Sequence, residues 1–163
     1  MNYTYCPNCG EKLTTKLCGD EGMVPYCEKC DKVYFNFSQP CVICLIADEN
    51  NNIALIKQSY VSEKYICVAG FLKQAETAEL AAAREVNEET GLDVLSVKYL
   101  NSYFYEKNDL LMLGFVCSVK RSDFLLSEEV ESAKWFSVDE AYEKLRTGSI
   151  GKVLLNDWIG FIR

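Results

Sequence analysis

Three glutamates at helical spacing are the residues of this chain best suited to metal chemistry. Glu85, Glu88 and Glu89 lie at positions i, i+3 and i+4 of a segment rich in Ala and Glu, and side chains at that spacing share one face of an α-helix. Like charges so placed cost a helix about 0.2–0.5 kcal/mol per pair. A bound divalent cation reverses that sign, and carboxylate oxygens favour Mg²⁺ or Mn²⁺ over softer metals. The alternative is an ordinary solvated acidic face, and the surrounding residues must decide between the two.

A second pattern of chemically useful residues is formed by four of the nine cysteines. The pairs Cys6/Cys9 and Cys27/Cys30 are each spaced C-x-x-C, with 17 residues between the pairs. This spacing predicts a structural Zn²⁺ site. Four thiolates close the tetrahedral shell, so such a zinc stabilises the fold and holds no catalytic water. A redox C-x-x-C motif would use one such pair, and the presence of two disfavours it.

The chain contains no histidine, and this excludes several kinds of active site. A Ser-His-Asp triad, a Cys-His pair and a His-ligated zinc protease site cannot be built from it. Any general base must be a carboxylate, a lysine or a metal-bound hydroxide.

The elements that must position these residues follow from local sequence. Residues 77–90 are strong helix formers, and Gly91 follows where a helix C-cap is expected. Ser137 and Glu140 form a capping box that predicts a second helix through about Leu145. A last helix is expected to start near Ser149 and to span Val153 to Ile162. Apolar segments expected as strands are residues 41–47, 53–58, 65–69, 94–106, 110–120 and a short segment that ends at Trp135-Phe136.

This order of elements predicts an α/β fold, an α/β/α sandwich around a mixed sheet. The residues from Phe37 to Pro40 interrupt regular structure, because a proline and the residue before it are restricted. We therefore expect two domains, a zinc ribbon over residues 1–37 and a larger domain over residues 38–163.

The glutamates belong to a longer pattern, G-x5-E-x7-R-E-V-x-E-E-x-G-L, that runs from Gly70 to Leu92. This pattern resembles the Nudix box in full. The resemblance implies a hydrolase of nucleoside diphosphates linked to another moiety. It also implies a metal site formed by Glu85, Glu88, Glu89 and the backbone carbonyl near Gly70. Glu76 and Arg84 are then expected to orient the cluster by ion pairing.

A zinc ribbon followed by a Nudix box resembles one branch of the family, the zinc-ribbon NADH pyrophosphatases. That resemblance implies that Glu129 is a further metal-binding glutamate and a candidate proton acceptor, with Glu131 as the alternative if the register slips. It also implies that Phe71 stacks on the adenine ring. Phe35 is expected to reach the base from the partner subunit of a homodimer.

The chain departs from this branch at one segment. NADH-preferring members carry S-Q-P-W-P-F-P before the L-M-L-G-F strand, whereas here residues 102–108 read S-Y-F-Y-E-K-N. A flexible loop is expected instead, with Tyr103, Phe104 and Tyr105 as possible stacking groups. The identity of the substrate's second moiety therefore stays open.

The resemblance implies hydrolysis of NAD(H), ADP-ribose or a similar dinucleotide, with AMP and a second monophosphate as products. Removal of nucleotide caps from RNA 5′ ends and nucleoside triphosphate pyrophosphatase activity are the alternatives. A non-catalytic nucleotide sensor is disfavoured, because the box is intact.

Charge and hydropathy limit the expected partners. The chain has 17 Lys and Arg against 24 Asp and Glu, a net charge of −7. Nucleic acid is therefore disfavoured as the main partner, since phosphate backbones bind cationic grooves. No apolar run reaches 18 residues and the first ten residues are polar, so we expect neither membrane insertion nor export, and a cytoplasmic location.

Overall fold

Two units make up the computed structural model, which describes residues 3–58 and 64–162. The first unit is Met1–Gln39 and the second is Pro40–Arg163. None of the helices in the described part of the chain is long and apolar enough to span a bilayer.

The first unit is a small antiparallel sheet in the order β1-β2-β3. Its strands are β1 (Thr14–Leu17), β2 (Met23–Cys27) and β3 (Lys32–Val33), and a short 3₁₀ helix over Gly19–Glu21 joins the first two. Cys6 and Cys9 precede β1, while Cys27 ends β2 and Cys30 lies in the turn before β3. This topology brings the two cysteine pairs to one place.

The second unit contains a six-stranded sheet. Its central order is β7-β8-β4-β5-β9, and β6 pairs with β4. The strands are β4 (Gln39–Ala47), β5 (Ile53–Lys57), β6 (Val68–Phe71), β7 (Val94–Tyr105), β8 (Leu110–Val119) and β9 (Ser132–Phe136). The helices are α1 (Ala78–Thr90), α2 (Val138–Lys144) and α3 (Ile150–Ile162).

Both faces of this sheet are covered by helices. Ala81, Ala82 and Val86 of α1 pack in one buried cluster with alternate residues of the strands. Ala141 of α2 and Leu154 of α3 belong to a second cluster on the other face. The expected α/β/α sandwich is therefore confirmed.

Capping residues mark both ends of α1 and the start of α2. The Thr77 side chain accepts a hydrogen bond from the backbone of Leu80 at the start of α1, and Gly91 ends the helix in the left-handed conformation, with φ of 72°. The predicted capping box of Ser137 and Glu140 opens α2.

Residues 102–108 have regular structure. This agrees with the strand expected over residues 94–106, whereas the flexible loop expected over residues 102–108 was wrong. Ser102 to Tyr105 continue β7 and pair with residues of β8. A 3₁₀ helix over Glu106–Asn108 and a left-handed residue, Asp109, then close the hairpin. Pairing with β8 therefore orders this segment, although it lacks the prolines that NADH-preferring members carry here.

Candidate active site

The centre of the candidate site is the contact between β6 and α1. Gly70 of β6 faces the Glu85 carboxylate so closely that a Cβ atom built on Gly70 would overlap with the carboxyl group. Only glycine leaves room for the strand and the carboxylate at this point.

Arg84 links three of the predicted site carboxylates. Its guanidinium donates to both oxygens of Glu76, with Nε–Oε1 and Nη2–Oε2 distances of 2.7 and 2.9 Å. Its Nη1 donates to Glu85 at 2.6 Å and to Glu88 at 3.0 Å. Nη2 also donates to the backbone carbonyl of Phe71 at 3.1 Å. One guanidinium thus joins the strand, the loop and the helix of the box.

Two carboxylates of this network, Glu76 and Glu88, have lowered pKa values. Hydrogen bonding to Arg84, and then to the backbone N–H of Lys73, lowers the pKa of Glu76 to about 2. The Lys73 ammonium lies 3.1 Å from Oε1 of Glu88, and this contact, followed by that with Arg84, lowers the pKa of Glu88. Both groups are therefore anionic at neutral pH.

Glu89 lies in a different environment from its neighbours. It is 7% exposed, and its Oε2 atom is buried without a hydrogen-bond partner. Burial, and then the charges of Glu85 and Glu129, raise the pKa of Glu89 to about 7, against a hydrogen bond with Gln58 that lowers it. A buried, unpaired carboxylate oxygen beside other carboxylates is expected where a cation binds.

The segment that carries Glu129 is attached to the end of α1. Leu125 N–H donates to the carbonyl of Thr90 at 2.9 Å, and Ser127 N–H donates to the carbonyl of Glu89 at 3.4 Å. Carbonyls in the last turn of a helix lack helical hydrogen-bond donors, and the N–H groups of Leu125 and Ser127 are the donors here. The attachment brings Glu129 within electrostatic reach of Glu89. Glu131, its competitor, instead donates its backbone N–H to the carbonyl of Lys57.

The donor set of the box fits a hard divalent cation, because it consists of carboxylate oxygens and one of them, Oε2 of Glu89, is buried and unpaired. These oxygens do not converge as closely as the thiols. Across residues 3–58 and 64–162, only the four cysteines bring three or more candidate ligand atoms within 4.8 Å of one another. Glu85 and Glu88 each form an ion pair with the Arg84 guanidinium instead.

The cysteine cluster has the dimensions of a tetrahedral site. All four Sγ atoms lie within 4.8 Å of one another, with Cys9–Cys27 at 3.6 Å and Cys6–Cys30 at 4.0 Å. Tetrahedral zinc with Zn–S bonds of about 2.3 Å requires S···S distances of about 3.8 Å. The side chain of Asn8 also donates to Sγ of Cys30 at 3.3 Å. The cluster can therefore hold a metal ion.

The predicted aromatic contacts lie in different surroundings. Phe71 is half exposed at the end of β6, and Phe35 is half exposed in the first unit. The Tyr103 hydroxyl donates to Asp157 of α3 at 2.6 Å. Burial, and then this hydrogen bond, raise the pKa of Tyr103. Tyr105 lines a cavity of about 270 Å³ in the second unit.

Residues 37–156 match the family model of the NUDIX domain. This chain belongs to the NUDIX family. The chain is 28% identical over 159 residues to the NAD-capped RNA hydrolase NudC of Vibrio parahaemolyticus. The alignment covers 97% of this chain and 60% of that protein. With NudC of Edwardsiella ictaluri it is 26% identical over 164 residues, covering 100% of this chain and 63% of that protein. It thus spans about three fifths of the length of these relatives.

A solved structure supports the same fold. The NUDIX hydrolase from Nitrosomonas europaea matches with a TM-score of 0.73 at 21% sequence identity, covering 96% of this chain and 88% of that chain. At this identity the similarity concerns the fold.

Sequence reasoning missed two residues that contact the Nudix glutamates. Lys73 pairs with Glu88 and donates its backbone N–H to Glu76, and its position three residues before Glu76 inside the box was an available signal. Gln58, which hydrogen bonds to Glu89, follows β5 and is far from the box in sequence. Only tertiary structure brings it there.

Proposed function

We propose that this chain is a metal-dependent hydrolase that cleaves the pyrophosphate bond of a nucleoside diphosphate linked to a second moiety. Its proposed substrates are NAD(H), ADP-ribose or a similar dinucleotide, and its products are AMP and a second monophosphate. The buried, unpaired Oε2 atom of Glu89 between the charges of Glu85 and Glu129 is the observation that carries this proposal.

Glu85, Glu88, Glu89 and Glu129, with the Gly70 carbonyl, are the proposed ligands of Mg²⁺ or Mn²⁺. Bound there, the cation would supply a water of lowered pKa and would offset charge on the phosphate oxygens. Arg84 and Glu76 hold the carboxylates in position. Glu89 is the best supported proton acceptor, because a pKa near 7 lets a carboxylate take up and release a proton at neutral pH.

The cysteine cluster is proposed to hold a structural Zn²⁺, as in the zinc-ribbon branch of the family. The close approach of four Sγ atoms supports this assignment. The described cysteines form no disulfides, which suits a reducing compartment, and we propose the cytoplasm.

Substrate contacts and assembly rest mainly on the family resemblance. Phe71 is proposed to stack on the adenine ring, and Phe35 to reach it from the partner subunit of a homodimer. Of the two tyrosines of the hairpin, Tyr105 is the better supported contact because it lines the cavity, whereas the hydroxyl of Tyr103 is bound to Asp157.

Hydrolysis of NAD-capped RNA is the second candidate function. It is favoured by the similarity to relatives that are named NAD-capped RNA hydrolase NudC. The same pyrophosphate bond would break in both reactions. The net charge of −7 argues against extensive contacts with an RNA backbone, so the free dinucleotide remains the first proposal.

The deciding experiment is a substrate panel. The zinc-loaded protein is incubated with Mg²⁺ or Mn²⁺ and with NADH, NAD⁺, ADP-ribose, a dinucleoside polyphosphate, nucleoside triphosphates and a 5′-NAD-capped RNA. AMP with a second monophosphate is the expected product pair, and faster cleavage of the capped RNA would favour the second candidate. Release of inorganic pyrophosphate from triphosphates alone would overturn both.

We expect Glu89→Gln to reduce kcat by about a hundredfold or more, the range found when a positioned acid or base is removed. The substitution keeps the side-chain volume, so the far-UV circular dichroism spectrum and the Kd for the nucleotide should change little. Glu79→Gln is the matched control, because Glu79 is exposed in the first turn of the same helix. Full activity of Glu89→Gln would remove Glu89 from the site.

A further inference from the structure

A cavity next to β6 lies apart from the proposed metal-binding glutamates. Its volume is about 270 Å³, close to the lower end of the range for ligand pockets, which suits one ring-sized group rather than a whole dinucleotide. Ala69 of β6, Tyr105 of the hairpin and Ile150 of α3 contribute to its walls.

The cavity and the carboxylate cluster lie on either side of the same short strand. Successive residues of a strand face opposite sides of a sheet. Val68 belongs to the cluster under α1 and Gly70 faces Glu85, whereas Ala69, between them, lines the cavity. A substrate that crosses this strand can place a phosphate at the glutamates and the attached ring in the cavity.

Two cationic side chains, Lys107 and Arg146, line the cavity, and none of the lining residues within 3–58 and 64–162 is an Asp or Glu. Within the described part of the chain neither cation makes an ion pair. Gly151, in the first turn of α3, also borders the cavity, and the partial positive charge of a helix N-terminus favours anions in the same way.

We propose that the cavity binds the ring of the substrate's second moiety and selects a ring that carries its own anionic group, which Lys107 and Arg146 bind. This specificity rests on the proposed pyrophosphate hydrolysis, because it assigns one end of that substrate. NAD⁺ and nicotinic acid adenine dinucleotide share a positively charged pyridinium ring, but only the second carries a ring carboxylate. Nicotinic acid adenine dinucleotide is therefore preferred, and NAD⁺, whose ring has a net positive charge, is disfavoured.

Binding of the two mononucleotides tests the cavity without any reaction. Nicotinic acid mononucleotide and nicotinamide mononucleotide share the ribose 5′-phosphate and differ in a carboxylate against a carboxamide. Calorimetry in magnesium-free buffer should give a Kd about tenfold lower for the acid, the size expected for one charge-assisted hydrogen bond. Equal Kd values would show that the 5′-phosphate alone is recognised and would overturn the proposal.

Variants assign the preference to the two cations. Arg146→Gln and Lys107→Gln should each bring the ratio of the two Kd values close to one, while Arg146→Lys should keep most of it. Lys144→Gln is the matched control, since it removes the same charge from an exposed residue at the end of α2 that does not line the cavity. An unchanged ratio in Arg146→Gln and Lys107→Gln, or the same loss in Lys144→Gln, would contradict the assignment.

The hydrolysis assay separates the two proposals. With Mg²⁺ present, kcat/KM for nicotinic acid adenine dinucleotide should exceed that for NAD⁺ by a similar factor. Cleavage of both at equal rates would refute the ring specificity and keep the hydrolase. Preferential binding of the acid mononucleotide without cleavage of any dinucleotide would refute the hydrolase and keep the cavity assignment.

Discussion

At the scale of single residues, Glu89 determines how the site responds to pH. Its pKa of about 7 in the metal-free protein exceeds the ordinary value of 4.5 that applies in the unfolded chain. The folded protein therefore holds this proton more tightly than the unfolded chain does. The resulting stabilisation is fully present below about pH 4.5 and is lost as pH rises through about 7.

We therefore predict that the free energy of unfolding of magnesium-free protein falls between these two pH values, by up to about 3 kcal/mol. Glu89→Gln should remove this part of the pH dependence and should be more stable than the wild type at pH 8. Urea denaturation at a series of pH values measures the difference. Zinc must be retained, so magnesium is removed by dialysis without a strong chelator. Parallel profiles for the wild type and Glu89→Gln would contradict the raised pKa.

Residue types and spacing predict that Glu85, Glu88 and Glu89 share one helix face, and the longer pattern around them singles them out as candidate site residues. They could not show that these three carboxylates differ in environment. Glu89 contacts the segment after β8 through its backbone carbonyl and Gln58 through a side-chain hydrogen bond. Partners so distant in sequence leave no periodic signal.

At the scale of secondary-structure elements, the close approach of β6 to α1 makes Gly70 a sensitive position for the site. Gly70→Ala should displace the Glu85 carboxylate from its place beside the strand, because its Cβ would overlap with that carboxyl group. The end of the Glu85 side chain can move aside, so we expect a loss of stability of about 1 kcal/mol, and a larger proportional loss of kcat than of thermal stability. Differential scanning fluorimetry and single-substrate kinetics measure the two effects.

Gly160→Ala provides the same chemical change in a permissive place. Gly160 lies in α3 with nothing within 4 Å of a built Cβ, and alanine is favoured over glycine in a helix by about 0.5–1 kcal/mol. This variant should keep its activity and gain slightly in stability. Similar behaviour of the two variants would mean that the strand has room for a side chain at Gly70.

The elements themselves were predictable where their signals are local. Thr77 and Gly91 mark the ends of α1, and the Ser137/Glu140 box opens α2. The hairpin of β7 and β8 was recognised, but its ordered tip was not. The tip is ordered by cross-strand pairing and by the hydrogen bond between Tyr103 and Asp157, which are 54 residues apart. Neither interaction can be predicted from a short window of sequence.

At the scale of the whole molecule, the two units are stabilised in different ways. Both buried hydrophobic clusters of the second unit are formed by residues beyond position 40. The first unit has a small sheet whose strands are largely exposed. A segment of that size is expected to need a metal ion, and zinc bound by thiolates contributes about 10–16 kcal/mol in small domains.

We predict that Cys27→Ser abolishes zinc binding and unfolds the first unit while the second stays folded. Zinc content by mass spectrometry and limited proteolysis should show metal loss together with cleavage confined to residues before about position 40, which the separate core of the second unit explains. Cys18→Ser is the control, because Cys18 lies in the same unit outside the cluster. Retained zinc in Cys27→Ser, or global unfolding, would contradict this division.

The contacts of Arg84 and Lys73 have a consequence for the life of the protein in the cell. These two side chains offset most of the negative charge of Glu76, Glu85 and Glu88 from within the same chain. The acidic helix can therefore form before any metal ion binds. On the proposed metal assignments, a shortage of magnesium would stop turnover without unfolding this helix, whereas a shortage of zinc would leave the first unit open to proteases.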